Sequence, residues 1–365
     1  MIERDASVTA ETVLAALSQV IDPDLQRDIV TLGMVKDLEV ESNRVSFTYE
    51  LTTPACPIKD HMEAMARDAV EAIPGVEAIE IKMSARVQAT EAAGPLLPTV
   101  RNVVAIGSGK GGVGKSTVAA NLAIALAQSG ATVGLLDADI YGPSIPGLMG
   151  TRALPKVIEQ DEKKLFDPLV AHGVKLMSIG FLLEPDAPVI WRGPMVHSAI
   201  RQLLGDTHWG ELDYLIVDLP PGTGDAQLTL VQALQLSGAV IVTQPQDVAL
   251  DIAIKALKMF RHLKVRILGI LENMSYFICD HCNTRHDIFS HGGAQRAAQE
   301  LEVPFLGEIP LAPDIRESSD EGQPVTALSP DSPQAESFRN VAESLAAQVS
   351  IAAARQRRTI SLRAV

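Results

Sequence analysis

The segment VVAIGSGKGGVGKSTVAANLAIAL, residues Val103 to Leu126, decides how the rest of the chain is read. Within it, Gly109-Lys110-Gly111-Gly112-Val113-Gly114-Lys115-Ser116 fits G-x-x-x-x-G-K-[ST]. An apolar run, Val103–Ile106, precedes it as a strand, and a helix opens around Thr117 and runs to Gln128. That context is what a phosphate-binding loop requires. Glycines let main-chain N–H groups close around phosphate oxygens, and the helix N-terminus adds its partial positive charge. Lys115 is placed to reach the β- and γ-phosphates and Ser116 to ligate Mg²⁺. Lys110 is a second lysine, directly after the first glycine, where one would serve.

From Val100 onward, apolar runs alternate with helical segments. NVVAIGS, TVGLLDAD, KLMSIG, YLIVDLP, AVIVTQP, RILGILEN and FLGEIP read as strands. The alternation predicts an α/β fold, a doubly wound and mostly parallel sheet over 100–350. Residues 1–87 read as a separate small α/β unit of order α-β-β-α-β. Its segments are ETVLAALSQV, MVKDLEV, RVSFTYEL, PIKDHMEAMARDAVEAI and VEAIEIKM, with an ESN turn between its first two strands. QATEAAGPLLP lies in 88–99 and reads as a linker. Residues 351–365 read as a flexible basic tail.

Two acidic clusters fall at strand ends, where such sheets bind ligands. Asp137 and Asp139 close LLDAD, and Asp218 closes YLIVD, followed by PPGTGD. Asp218 is expected to hold Mg²⁺ through water, with Asp137 as a further metal-site carboxylate. Asp139 is the candidate that orients the attacking water. The Gly-Pro stretches after each cluster suit switch loops that sense a γ-phosphate. No Asn-Lys pair of the guanine-reading kind exists in the chain. Asn273, in ENMS, follows a strand, and its amide can pair with both a donor and an acceptor on adenine's edge.

The chain has 365 residues, with 45 acidic against 31 basic side chains and a net charge of −14. That balance argues against nucleic acid as a partner. The start, Met-Ile-Glu-Arg-Asp, lacks a signal-peptide core, no run is long enough to span a membrane, and three cysteines make no disulfide framework. A cytoplasmic protein is expected.

Cys279-x-x-Cys282 in SYFICDHCNTRHDIF has three readings: a redox pair, zinc or iron–sulfur. A thioredoxin-like context is missing. A tetrahedral thiolate site needs four ligands and the pair offers two. Either His281, His286 or His291 completes a Cys₂His₂ zinc site, or two chains each donate a pair. Cys56, before Pro57, is placed at a helix N-cap, where the helix dipole favours a thiolate.

The loop K-G-G-x-G-K-[ST] resembles the deviant Walker A loop of the MinD/ParA/nitrogenase-iron-protein class. The resemblance implies that Lys110 crosses a homodimer interface and contacts the partner's phosphates, and that Asn273 sits in the adenine pocket. More specifically, GSGKGGVGKST, LLDADIYGPSIPGLMG, VIWRGPMV, DYLIVDLPPGTGD, VTQPQDVAL, ENMSYFICDHC, FLGEIPL and DIRESSDEGQPV together resemble the Mrp/ApbC iron–sulfur carrier group of P-loop ATPases, over about Val100 to Ala347. That resemblance implies a labile [4Fe–4S] cluster held at Cys279 and Cys282 of two subunits. It also implies slow ATP hydrolysis and transfer of the cluster from donors to apo iron–sulfur proteins. IDPDL and TTPACP resemble the small domain of cytosolic iron–sulfur assembly factors.

Three rivals share parts of this pattern. A spatial-organising ATPase of the MinD/ParA kind needs a DNA patch or a membrane helix. The amphipathic ESFRNVAESLAAQVSIAAARQRR has an Ala/Val face poor for lipid, so no stable membrane association is expected. An electron-donating reductase would, by family analogy, draw its cysteines from separate segments. A zinc-stabilised ATPase would carry no cluster.

Overall fold

The computed structural model describes residues 8–90, 94–160, 162–183, 193–279 and 281–363. It divides into two compact units, one of Met1–Gln88 with Ala353–Val365 and one of Ala89–Ala352.

The small unit has the expected order: α1 (Ala10–Leu17), β1 (Val35–Glu41), β2 (Arg44–Leu51), α2 (Lys59–Glu71) and β3 (Ala78–Ala85). Strand β2 alternates strictly, burying Val45, Phe47, Tyr49 and Leu51. That period of two places one face on a core. Helix α2 covers the core with Met62, Ala66 and Val70, spaced four apart. β2 is central, antiparallel to β1 and parallel to β3. Ser42 and Asn43 both take positive φ, the backbone of a two-residue hairpin turn. Cys56 is not an N-cap. Helix α2 starts at Lys59 with Ile58 as its cap, because the chain makes a further turn after Pro57. The dipole argument for Cys56 therefore lapses, and its side chain packs partly buried against the core.

The large unit is built on an eight-stranded sheet. Its strands are β4 (Val100–Ser108), β5 (Val133–Asp137), β6 (Leu169–Ala171), β7 (Val174–Ser178), β8 (Leu212–Asp218), β9 (Gly238–Thr243), β10 (Ile267–Glu272) and β11 (Phe305–Glu308). Their order is β6-β7-β5-β8-β4-β9-β10-β11. Every pairing is parallel except β6 with β7. β5, β8, β9 and β10 are buried at every residue, as strands covered on both faces must be. All seven expected strands are present. The edge strand β6 and a hairpin of Lys156–Gln160 with Lys163–Asp167 were not foreseen, since their mixed charge and short length carry no apolar period. From β4 the chain moves outward to β5 and β7, returns through β8, then moves the other way through β9 to β11. The C-terminal ends of β4 and β8 thus sit at the topological switch point.

Helices complete the layers: α3 (Lys115–Gln128), α4 (Gly193–Gly205), α5 (Asp225–Ala233), α6 (Asp247–His262), α7 (Gly293–Glu300), α8 (Pro313–Asp320) and α9 (Pro333–Arg363). α3 is buried from Val118 to Leu126 without interruption, which explains its Ala-rich sequence. α9 buries Phe338, Val341, Ala342, Leu345 and Val349, so the face considered for lipid is already packed. It continues as helix to Arg363, through residues expected as a flexible tail. The linker expectation also narrows. Thr90 and Leu97 are buried, and the Thr90 N–H donates to Asn102 Oδ1 at 3.1 Å.

Asn121, buried in α3, ties the helix to residue 326: its Oδ1 accepts from the Thr326 N–H at 3.1 Å and hydroxyl at 2.8 Å. Asn121→Leu leaves both donors buried without that acceptor. It is expected to lower stability by about 1–3 kcal/mol, read as a fall in the denaturant midpoint at unchanged m-value.

Candidate nucleotide site and cysteine hairpin

Two glycines of the loop are required by close approach. A Cβ on Gly109 would lie 2.5 Å from the main-chain carbonyl of Ile252, so only glycine lets α6 approach. Gly114 has φ +79°, and a Cβ there would meet the Asn273 amide nitrogen at 2.3 Å. α3 begins immediately after Gly114, at Lys115. Gly111 and Gly112 are exposed, Val113 is buried, and Ser116 and Thr117 are half-buried in the first turn of α3.

Asp218 is the point of convergence. It is fully buried at the end of β8 and lies 2.5 Å from Lys115 Nζ. The Ser116 hydroxyl donates to its other oxygen at 2.5 Å. The Lys115 ammonium also donates to the Ser116 oxygen, at 3.3 Å. The oxygen-only donor set of Ser116 and Asp218 suits Mg²⁺.

Asp137 stands one strand away and is also fully buried. Its Oδ1 accepts from the Asp139 N–H at 3.1 Å. Its Oδ2 accepts from the Ile145 N–H at 3.1 Å and the Ser178 hydroxyl at 3.0 Å. Burial, with the negative charge of Asp218, pushes its carboxyl up to about 7 against the pull of those donors. Three protein donors engage it, one on Oδ1 and two on Oδ2, and it organises the loop that follows β5. Asp139 is only half-buried, and it feels the charges of Lys115 and Asp218. Burial is the largest effect on its carboxyl and raises it above the ordinary carboxylate range.

Lys110 is half-buried, and among the described residues it is in no ion pair. The loop carries its main chain, with the Ser108 hydroxyl donating to the Lys110 carbonyl at 3.0 Å. Asn273 is 5% exposed, and its amide donates to the Val113 carbonyl at 2.8 Å. It therefore braces the loop here, and reading a base with the same amide requires that bond to give way.

Cys279 and Cys282 sit at the tip of a hairpin whose strands are Phe277–Ile278 and Arg285–His286. Both thiols are free; Cys282 is exposed and Cys279 partly so. The tip is shaped by the Cys279 N–H donating to Thr284 O at 3.0 Å and the Asn283 N–H donating to Cys279 O at 2.8 Å. The Thr284 hydroxyl lies 3.2 Å from the Cys282 sulfur. Hydrogen bonds from Thr284, and then from Cys279, hold the Cys282 thiol below its ordinary range, favouring the ligating thiolate. Among the described residues no three His, Cys, Asp or Glu side chains form a group that could hold a metal ion. His291 is engaged by Arg285 at 3.0 Å, and His286 is exposed in the hairpin strand.

A glycine loop between a central parallel strand and a helix, with a Walker-type carboxylate on the neighbouring strand, defines a P-loop nucleoside triphosphatase. The sequence matches the family described as "ParA: NUBPL iron-transfer P-loop NTPase" over residues 99–346, and "Iron-sulfur cluster assembly protein" over residues 10–82. It is 49% identical over 354 residues to an iron-sulfur cluster carrier protein of Synechocystis sp., covering 95% of this chain and 99% of that protein. It is 45% identical over 345 residues to the chloroplastic Fe-S cluster assembly factor HCF101 of Arabidopsis thaliana, covering 93% of this chain and 64% of that protein. Among solved structures, it resembles a nucleotide-binding protein from Archaeoglobus fulgidus in complex with ADP. That match has a TM-score of 0.57 and 42% identity over 66% of this chain and 93% of that one. The chain belongs to the iron-transfer P-loop NTPase family.

The reading missed Ser275, Thr284, Arg285 and Glu308. Ser275 and Thr284 lie two positions from Asn273 and Cys282, a proximity that was the available signal. Glu308 becomes a neighbour only through the pairing of β10 with β11.

Gly114→Ala forces a methyl group against the Asn273 amide. It is expected to weaken ADP binding about tenfold or more, near 1.4 kcal/mol, by calorimetry, with far-ultraviolet dichroism unchanged.

Proposed function

We propose that this protein is an ATP-hydrolysing carrier that holds a labile [4Fe–4S] cluster between two copies of the chain and delivers it to apo iron–sulfur proteins. The observation that carries the reading is the exposed Cys279/Cys282 pair. It is half of a four-thiolate site on a hairpin of an iron-transfer NTPase, and the described residues of the chain supply no third ligand. A second copy supplies the missing two thiolates. The cluster is cargo, and the exposure of its ligands suits release.

The nucleotide site supplies the complementary half. Lys115 exchanges its bond to Asp218 for the β- and γ-phosphates. This is an exchange of one anionic partner for another, so the buried ammonium is never left unpaired. Ser116 and Asp218 would hold Mg²⁺, which would supply positive charge to offset that of the phosphates. Asp139, on the loop organised by Asp137, orients the attacking water. Lys110 reaches across to the phosphates of the partner copy and stabilises the charge developing in phosphoryl transfer. Asn273 reads adenine once its bond to Val113 is released.

The deciding measurement is iron, acid-labile sulfide and zinc per chain after anaerobic reconstitution, with Cys279→Ala beside wild type. About two iron and two sulfide per chain, lost in the variant, is the expected result. About one zinc per chain without sulfide would overturn the carrier reading.

Lys110→Ala is expected to lower kcat for ATP by about 10²-fold or more while ATP affinity changes little. A loss of affinity with turnover per bound nucleotide unchanged would remove the trans role. Lys115→Ala is expected to abolish ATP-dependent function in cells yet retain cluster on the purified protein, measured by iron and sulfide content.

A further inference from the structure

Between the phosphate loop and the cysteine hairpin runs a path of polar contacts, joined by the main chain where Asn273 adjoins Glu272. It starts at Asn273, which holds Val113 of the loop. The flanking residue Glu272, 1% exposed, accepts the Ser275 hydroxyl on one oxygen at 2.6 Å and the Ala294 N–H on the other at 2.9 Å. The same Ser275 oxygen lies 2.6 Å from Glu308 Oε2. Glu308 Oε2 in turn takes Arg285 Nη2 at 2.8 Å. Arg285 stacks 4.0 Å over the Tyr276 ring and occupies the hairpin strand opposite Ile278, next to the Cys279–Thr284 contact.

Ser275 is the telling member. It is fully buried, and its hydroxyl carries one proton between two carboxylates at equal distance. The proton is given to one of them at a time. Given to Glu272, it leaves Glu308 to lean on Arg285; given to Glu308, it leaves Glu272 to the Ala294 N–H and loosens the claim of Glu308 on Arg285. Two discrete arrangements of one buried group, each favouring a different neighbour, are the kind of element through which two sites bias each other. On the loop side the bias has a source: Asn273 is two residues from Ser275, and its bond to Val113 belongs to the loop that closes on phosphate. On the hairpin side it has a lever, because Arg285 is fixed by Glu308, by Tyr276 and by Asp287 at 3.0 Å. Arg285 itself belongs to the strand that shapes the thiol turn.

We propose that Ser275 and Glu308 are positioning residues that transmit nucleotide occupancy from Asn273 to Arg285 and so set the disposition of Cys279 and Cys282. The proposal deepens the carrier reading by naming how the nucleotide acts on the thiolates. By linkage, a nucleotide that changes the hairpin must have its own affinity changed by what the hairpin binds.

The test uses the full-length chain without iron. Alkylation of Cys279 and Cys282 by iodoacetamide is followed by mass spectrometry of the peptides that carry them, with and without Mg·ADP and a non-hydrolysable Mg·ATP analogue. In wild type, nucleotide is expected to change the alkylation rate by about fivefold or more, within the usual range of coupling between sites. Ser275→Ala and Glu308→Gln are expected to bring the ratio of bound to free rates to near one while still binding nucleotide by calorimetry. Arg285→Lys keeps the charge but loses the fork, and is expected to do the same if Ser275→Ala fails to fold. A wild-type rate indifferent to nucleotide overturns the proposal, as does a variant that binds nucleotide and keeps the full wild-type ratio. A purely structural role for these residues would alter the rates without removing their nucleotide dependence. Failure of wild type to take up iron and sulfide would instead strike the carrier reading, which this apo-protein ratio does not measure.

Discussion

The buried carboxylate of Asp218 is the constraint on which the large unit depends. An anion at the end of a sheet strand, wholly out of water, must be met by a cation and by hydrogen bonds. Lys115 and Ser116 meet it, and both belong to the first turn of α3. The contact therefore fixes the start of α3 over the end of β8. The glycine loop has to span the remaining distance from β4. The same charge reaches β5, where it contributes to holding the Asp137 carboxyl high. Three strand ends, one helix start and one loop are thus set by a single electrostatic requirement, which a nucleotide and its cation would then take over.

The sheet order gives that requirement its geometry. With β8 and β4 adjacent and β5 and β9 outside them, the two acidic strand ends and the loop face the same crevice. β10 stands two strands from β4, and Asn273, just past its end, reaches the loop carbonyl at Val113. From that position the chain goes directly into the hairpin that carries the thiols. One short segment, residues 272–286, therefore touches both functional regions. Its buried carboxylate, Glu272, and the Ser275 hydroxyl are each held by another polar group, so any movement there has to be shared.

Much of the fold was legible because its physics is local. The fully buried strands write themselves as unbroken apolar runs, and β2 writes itself as strict alternation. Small residues along α3 signal a helix closed in on all sides. The parts that escaped lack such periods: β6 is three residues long at an edge, and the hairpin of Lys156–Gln160 with Lys163–Asp167 mixes charged and apolar residues without a period on a mostly exposed ribbon. The start of α2 was misplaced because a proline before a helix marks its beginning only to within a residue or two. Cys56 lost its helix-cap role to that shift.

The sequence by itself determined the phosphate loop, the acidic strand ends, the two-unit organisation and the cysteine pair, because each is a motif whose spacing along the chain is already its chemistry. Tertiary structure alone decided which partners the acidic groups have. An aspartate at a strand end takes its hydrogen bonds from whichever donors the fold brings to it, and Asp137 received three. It alone set Asn273 against the loop main chain. It alone brought Glu308 of β11 to Ser275 and Arg285, residues 33 and 23 positions away in the chain. Hydrogen bonds act over about 3 Å and sequence separation carries no such distance; only the pairing of β10 with β11 turns those separations into contact.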